Sequence, residues 1–148
     1  MLKKLLMTAI LGTTLATTAC STTDDLMSAA SLFGGDSLVT DVTSKLGLDA
    51  KQVAGGLGAA LSYVQSRLPE SNYKAITQFL PGADKYLDFA KTAGLLDSPI
   101  TDKAQLSSTL NDLGVPPDTA QQMYRQVGDY IAGNGGETAK VAFLNLLR

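Results

Sequence analysis

From Ser37 to Arg148, apolar side chains recur every three or four positions, and glycine or proline repeatedly interrupts the pattern. This spacing constrains the fold more than any other feature of the chain. No stretch alternates with period two for long, and the Val/Ile/Thr clusters of strands are absent. The clearest run is Val53, Leu57, Leu61, Val64 and Leu68, spaced 4, 4, 3 and 4, which places one apolar stripe along a single helix.

The punctuation predicts seven helices. The first spans 37–46, with Val39, Val42 and Leu46 on one face, and stops at Gly47. Asp49 caps the second, 50–68, with Gln52 at the reciprocal capping-box position, and Pro69 ends it. Ser71 is the expected cap of a third helix, 72–80, carrying Tyr73, Ile76, Phe79 and Leu80, before Pro81-Gly82 breaks it. A fourth, 83–93, bears Tyr86, Leu87 and Ala90, with Gly94 as its C-terminal cap. Thr101 is the expected cap of the fifth, 102–113, with Leu106, Leu110 and Leu113; Gly114 stops it. Pro117 opens the sixth, 117–132, with Ala120, Met123, Val127 and Ile131 inward. After the turn at Gly133–Gly136, the last helix, 137–147, carries Val141, Phe143, Leu144 and Leu147. Six to seven short helices with short loops imply a compact, single all-α domain with crossed packing.

Residues 1–36 follow another logic. Lys3 and Lys4 precede an apolar stretch of 11 residues, Leu5 to Leu15, interrupted by Thr8, Thr13 and Thr14. A spanning helix needs roughly 20 apolar residues, so this run reads as a signal peptide. Ala16, Thr17, Thr18 and Ala19 follow, and then the only cysteine, Cys20. The pattern resembles the lipobox of bacterial lipoproteins, with Thr17 in the place of the usual Leu. That resemblance implies lipidation of the Cys20 sulfur with diacylglycerol, cleavage after Ala19, and acylation of the new amine by a fatty acid such as palmitate. Ser21, rather than Asp, implies sorting to the periplasmic face of a Gram-negative outer membrane. Each buried CH₂ contributes about 0.8 kcal/mol, and about two chains make attachment stable. The expected organisation is a signal peptide (1–19), a lipidated Cys with a flexible tether (20–36) and a helical domain (37–148). The tether includes a short amphipathic stretch of Leu26, Met27, Ala30, Leu32 and Phe33.

Composition narrows the function. Hydrophobic residues at 45% exclude a disordered chain. Residues 20–148 carry 10 basic and 14 acidic side chains, a net charge of −4. Such a balance neither attracts nucleic acid nor seeks anionic headgroups, so membrane contact falls to the lipid. With no His and one Cys there is no Ser-His-Asp triad, no Cys-His pair, no internal disulfide and no ordinary zinc site. Asp84 and Asp88 lie four apart among Lys85 and Lys91 and read as a solvated face. Ser62, Ser66, Ser107 and Ser108 lack the context of a nucleophile elbow. No cofactor and no enzymatic activity are expected.

Two features remain. Gly55, Gly56 and Gly58 lie among Ala54, Ala59 and Ala60. Each mid-helix glycine costs about 0.5–1 kcal/mol relative to alanine, so the cluster needs a compensating contact. A neighbouring helix approaching the bare backbone, a ligand and a docking partner are the alternatives. Five tyrosines, Tyr63, Tyr73, Tyr86, Tyr124 and Tyr130, stand in a chain without Trp, each offering an apolar ring and a hydroxyl at the rim. Gly55, Gly56, Gly58, Tyr63, Tyr86 and Tyr130 are therefore the candidate packing or interaction face. An echo at an offset of 67 residues pairs Leu46-Gly47-Leu48 with Leu113-Gly114-Val115, Val39 with Leu106, Tyr63 with Tyr130 and Val64 with Ile131, while Leu61 falls on Gly128.

The run from Leu46 to Ala59, with Leu80-Pro81-Gly82-Ala83-Asp84 and the later Leu113-Gly114-Val115 and Gly135-Gly136, resembles the VcgC/VcgE family of unknown function over residues 37–148. Pro116 departs from it where a polar cap is expected. The resemblance implies a helical, often exported protein and brings no catalytic residue. The expectation is a lipoprotein anchored in the outer membrane and facing the periplasm, acting through contacts with an envelope protein. The alternative is a binder of a small apolar molecule or lipid between helices.

Overall fold

A computed structural model describes Leu32, Phe33 and residues 36–148; the expected signal peptide and Cys20 lie outside the described residues. Seven helices and no strands occur among the described residues: α1 (Ser37–Leu46), α2 (Ala50–Arg67), α3 (Glu70–Thr77), α4 (Ala83–Thr92), α5 (Lys103–Asp112), α6 (Pro117–Gly133) and α7 (Glu137–Leu147). The fold is all-α, with crossed packing of short helices. No helix among the described residues is long and apolar enough to cross a membrane.

Helix α2 is the axis of the molecule. Every residue from Val53 to Val64 is buried, so it meets neighbours on all sides rather than along one stripe. Helix α4 packs most extensively against it, and α1, α5 and α7 close the remaining sides. Loop 98–100 is fastened by two serines of α2. Ser62 Oγ accepts the Ile100 N–H at 3.2 Å, and Ser66 Oγ lies 2.7 Å from the Ile100 carbonyl oxygen. These serines therefore hold a loop.

The capping logic operates as the chain was read at most ends. Asp49 accepts the Gln52 N–H at 2.8 Å while Gln52 Oε1 accepts the Asp49 N–H at 3.0 Å, completing the capping box. Gly47 and Gly114 stop α1 and α5 in the left-handed region, at φ 66° and 74°. Pro117 occupies the first turn of α6, and Pro116, extended at φ −62° and ψ 153°, serves as its N-cap without a side-chain hydrogen bond.

Several expectations need correction. Helix α3 begins at Glu70, not 72, and ends at Thr77, not 80. Ser71 lies inside it; the entry residue is Pro69, whose extended ψ of 149° turns the chain and whose carbonyl accepts from Asn72 and Tyr73. The cap of α5 is Asp102, which accepts the Gln105 N–H at 2.8 Å, while Gln105 Oε1 returns to the Thr101 N–H at 2.9 Å. A carboxylate is the stronger acceptor, and the cap moves one residue later. Of the apolar residues carried by α7, Val141 is 55% exposed, because Ala139, Phe143 and Leu147 form its buried face. The tether expected to Asp36 is shorter at its far end, since Phe33 is 1% exposed and belongs to the core.

The echo has a spatial counterpart. Helices α2 and α6 both start 67 residues apart, after extended residues and a left-handed glycine. Leu48 and Val115 are both buried, as are Val39 and Leu106. Helix α1 packs on α6 while α5 packs on α2, the reciprocal pairing of two helix–turn–helix units facing one another.

Candidate interaction surface

The glycine cluster is used inside the fold. A Cβ on Gly58 would collide with the Tyr86 carbonyl oxygen and sit 2.6 Å from the Ala90 Cβ, so α4 lies directly against this backbone. At Gly55 the neighbours are the methyl ends of Leu95 and Leu113; at Gly56 they are Met123 and Leu110. All three glycines are buried, so no outside partner reaches this face in this structure.

The tyrosines separate into different environments. Tyr63 is 2% exposed and carries the Arg67 guanidinium 5.5 Å above its ring. Tyr130 is half-buried at the surface. Tyr86 is fully buried, and its hydroxyl donates to Asp36 Oδ2 at 2.5 Å. Burial first, then the Asp36 hydrogen bond and charge, push the Tyr86 hydroxyl well above the usual tyrosine range. Asp36 Oδ1 accepts the Leu38 N–H at 3.0 Å, so one carboxylate caps α1 and holds Tyr86. Phe33 stacks on Tyr86, with ring centroids 5.0 Å apart at 15°, and meets Phe89 edge-on at 5.6 Å. Phe33 and Asp36 thus bind the beginning of the domain to α4. Reading them as tether overlooked this; Asp36 before Leu38 and Val39 is an ordinary N-cap signal.

Of the depressions around this frame, three border the tyrosines or the apolar faces of α3 and α7. A cleft of about 390 Å³ is lined by Leu32, Phe33, Asp36, Pro81, Lys85 and Tyr130, where the chain enters the domain. A groove of about 440 Å³ runs between α3 and the start of α7, with Leu68, Ile76, Phe79, Ala139 and Ala142 on its walls. A smaller cleft, about 200 Å³, lies between α5, α6 and the end of α7 and includes Tyr124. The Tyr73 and Tyr124 hydroxyls are buried without a hydrogen-bond partner among the described residues. Desolvation raises the proton affinity of both, and for Tyr73 the Asp84 charge adds to it.

Asp84 and Asp88 are exposed, as expected of a solvated face. Glu70–Lys74 is an exposed pair at 2.6 Å, and Lys140 reaches Asp129 at 2.7 Å. Among the described residues no three His, Cys, Asp or Glu side chains are grouped to hold a metal. Gly55, Gly56, Gly58 and Tyr63 lie on α2, with the α4 backbone at Tyr86 against Gly58, and Tyr130 packs on the core from the entry cleft, near enough to Tyr86 to act on its hydroxyl.

The family described as proteins of unknown function VcgC/VcgE (DUF2780) matches residues 2–148, reaching through the N-terminal segment as well as the helices. No curated protein and no solved structure matches the chain.

Proposed function

The chain belongs to the VcgC/VcgE family of proteins of unknown function, and from that premise we propose that it is a lipid-anchored envelope protein whose helical domain acts by contact with another protein. The carrying observation is the register of Cys20: the only cysteine follows a charged start, a short apolar run and four small residues. Acyl chains on that sulfur hold the domain at the periplasmic face of the outer membrane, while the mature surface, with net charge −4, adds no attraction to anionic lipid.

The residue chemistry supports a non-catalytic role as part of this reading. The chain lacks histidine, and its single thiol is taken by the lipid. The carboxylates Asp84 and Asp88 are exposed on α4, interleaved in sequence with Lys85 and Lys91.

Metabolic labelling with a clickable fatty acid tests the reading. The wild type becomes labelled and fractionates with the outer membrane, whereas Cys20→Ser is unlabelled and runs as the larger, unprocessed chain. Equal absence of label in both proteins overturns it. Crosslinking in intact cells from exposed positions of α3 and α7 then captures the protein partner; an anchored domain that yields no crosslinked species removes the contact role.

A further inference from the structure

The groove of about 440 Å³ between α3 and the start of α7 has apolar walls of Leu68, Ile76, Phe79, Ala139 and Ala142. Ile76 and Ala139 are buried, while Leu68, Phe79 and Ala142 stay partly open to solvent. Glu137 is the only charged side chain that lines it. A Cβ on Gly136 would sit 2.7 Å from the Phe79 ring, so this wall is packed on bare backbone and the groove is preformed. Such a surface takes apolar side chains rather than an ion. The chain enters the domain at its edge. Leu32, 60% exposed, lines the entry cleft together with Pro81. Pro81 is two residue steps from Phe79, a distance of at most about 7 Å. Upstream of Leu32 stand Leu26, Met27 and Ala30, which lie outside the described residues. Leu26 is six steps from Leu32, a reach of about 9 Å as a helix and at most about 22 Å drawn out, and either exceeds the step from cleft to groove.

We propose that residues 24–31 of the same chain dock in this groove, with Leu26 and Met27 against Ile76, Phe79 and the alanines of α7. Covalent connection favours this occupant over any other. A segment joined to the domain through so few residues meets the groove at an effective concentration in the millimolar range, which a separate molecule has to exceed. The spacing fits as well. Leu26, Met27, Ala30 and Phe33 fall at i, i+1, i+4 and i+7, the anchor pattern of an amphipathic segment laid in a groove. Phe33, the last of the four, is already seated on Tyr86 and Phe89. Asp24 and Asp25 precede the apolar pair, and the like charge of Glu137 keeps them on the solvent side. The docking uses no acyl chain, so its failure leaves the anchor on Cys20 untouched.

Cysteine pairs in the full chain carrying Cys20→Ser test the docking. Ser28→Cys is combined with Asn72→Cys or Thr138→Cys, exposed positions on the two walls of the groove, or with Asp112→Cys, exposed beside a different depression. All three partner positions are exposed, so the helices tolerate the changes, and circular dichroism checks this. Under mild oxidation at low protein concentration, the expected result is a disulfide within one chain between position 28 and position 72 or 138. It forms at least about tenfold faster than the disulfide to position 112, as a local rise in concentration requires. Adding Leu26→Ser with Met27→Ser lowers the groove rate to that of the position 112 pair. Equal rates at groove and control positions overturn the proposal. So does a groove rate that Leu26→Ser with Met27→Ser leaves unchanged. A disulfide formed chiefly between two chains overturns it as well, and assigns the groove to a second copy.

Discussion

Gly58 and Gly56 lie two residues apart in α2, yet they face different kinds of neighbour. Gly58 abuts the backbone of α4 at Tyr86, which cannot withdraw without moving the helix. Gly56 meets the flexible end of Met123 at 2.9 Å. Gly58→Ala should therefore destabilise the fold by about 1–3 kcal/mol despite the gain in helix propensity. Gly56→Ala should stay within about 1 kcal/mol of the parent, because Met123 can adopt another rotamer. Urea denaturation of the two variants checks the difference; equal midpoints would mean that α4 is not held against a bare backbone. That some glycine was needed for close approach was legible from its cost in mid-helix. Which glycine met backbone and which met a side-chain tip was not, since that depends on the partner helix.

Helix ends were the most readable elements. Gly47, Gly94 and Gly114 each take a positive φ at a helix stop, and the Asp49–Gln52 box is a local code that needs no tertiary information. The misplaced ends arose where two local signals competed. At α3, Pro69, which stops α2, also opens the next helix ahead of Ser71, and at α5 threonine and aspartate stand side by side. Asp102→Ala should cost about 0.5–2 kcal/mol, the range for a lost side-chain cap. Thr101→Ala should cost less, since Thr101 donates its backbone N–H to Gln105, which alanine retains. Thermal melts of the pair decide it, and an equal loss at Thr101 would return the cap to that residue. Helix α2 shows the limit of periodicity: five spaced apolar residues indicate one buried face, but the small residues between them are buried too, by packing that no single-helix pattern records.

At the level of the whole molecule, the domain begins before its first long helix. Phe33 contributes an aromatic ring to the core and Asp36 bonds to Tyr86, so the entering chain and α4 are one packed unit. Phe33→Ala should cost about 3–5 kcal/mol, as removal of a buried phenylalanine does. Limited proteolysis of the parent should stop on the N-terminal side of Phe33, and in the variant should advance toward α1. An unchanged cleavage front would detach residue 33 from the folded unit. The echo in the sequence marked the two facing helix–turn–helix units, while Phe33, legible as part of an amphipathic stretch, was assigned to the tether because Gly34-Gly35 separates it from α1.

The Phe33–Tyr86 stack also sets a distance. Phe33 lies thirteen residue steps beyond Cys20, and even a fully drawn-out chain of that length covers at most about 45 Å. On the proposed acylation of Cys20, the helices would stand on a leash no longer than this, and whatever they touch would have to come within that shell above the bilayer. Lengthening the leash by inserting residues before Leu32 would widen the shell without altering a single contact of the fold.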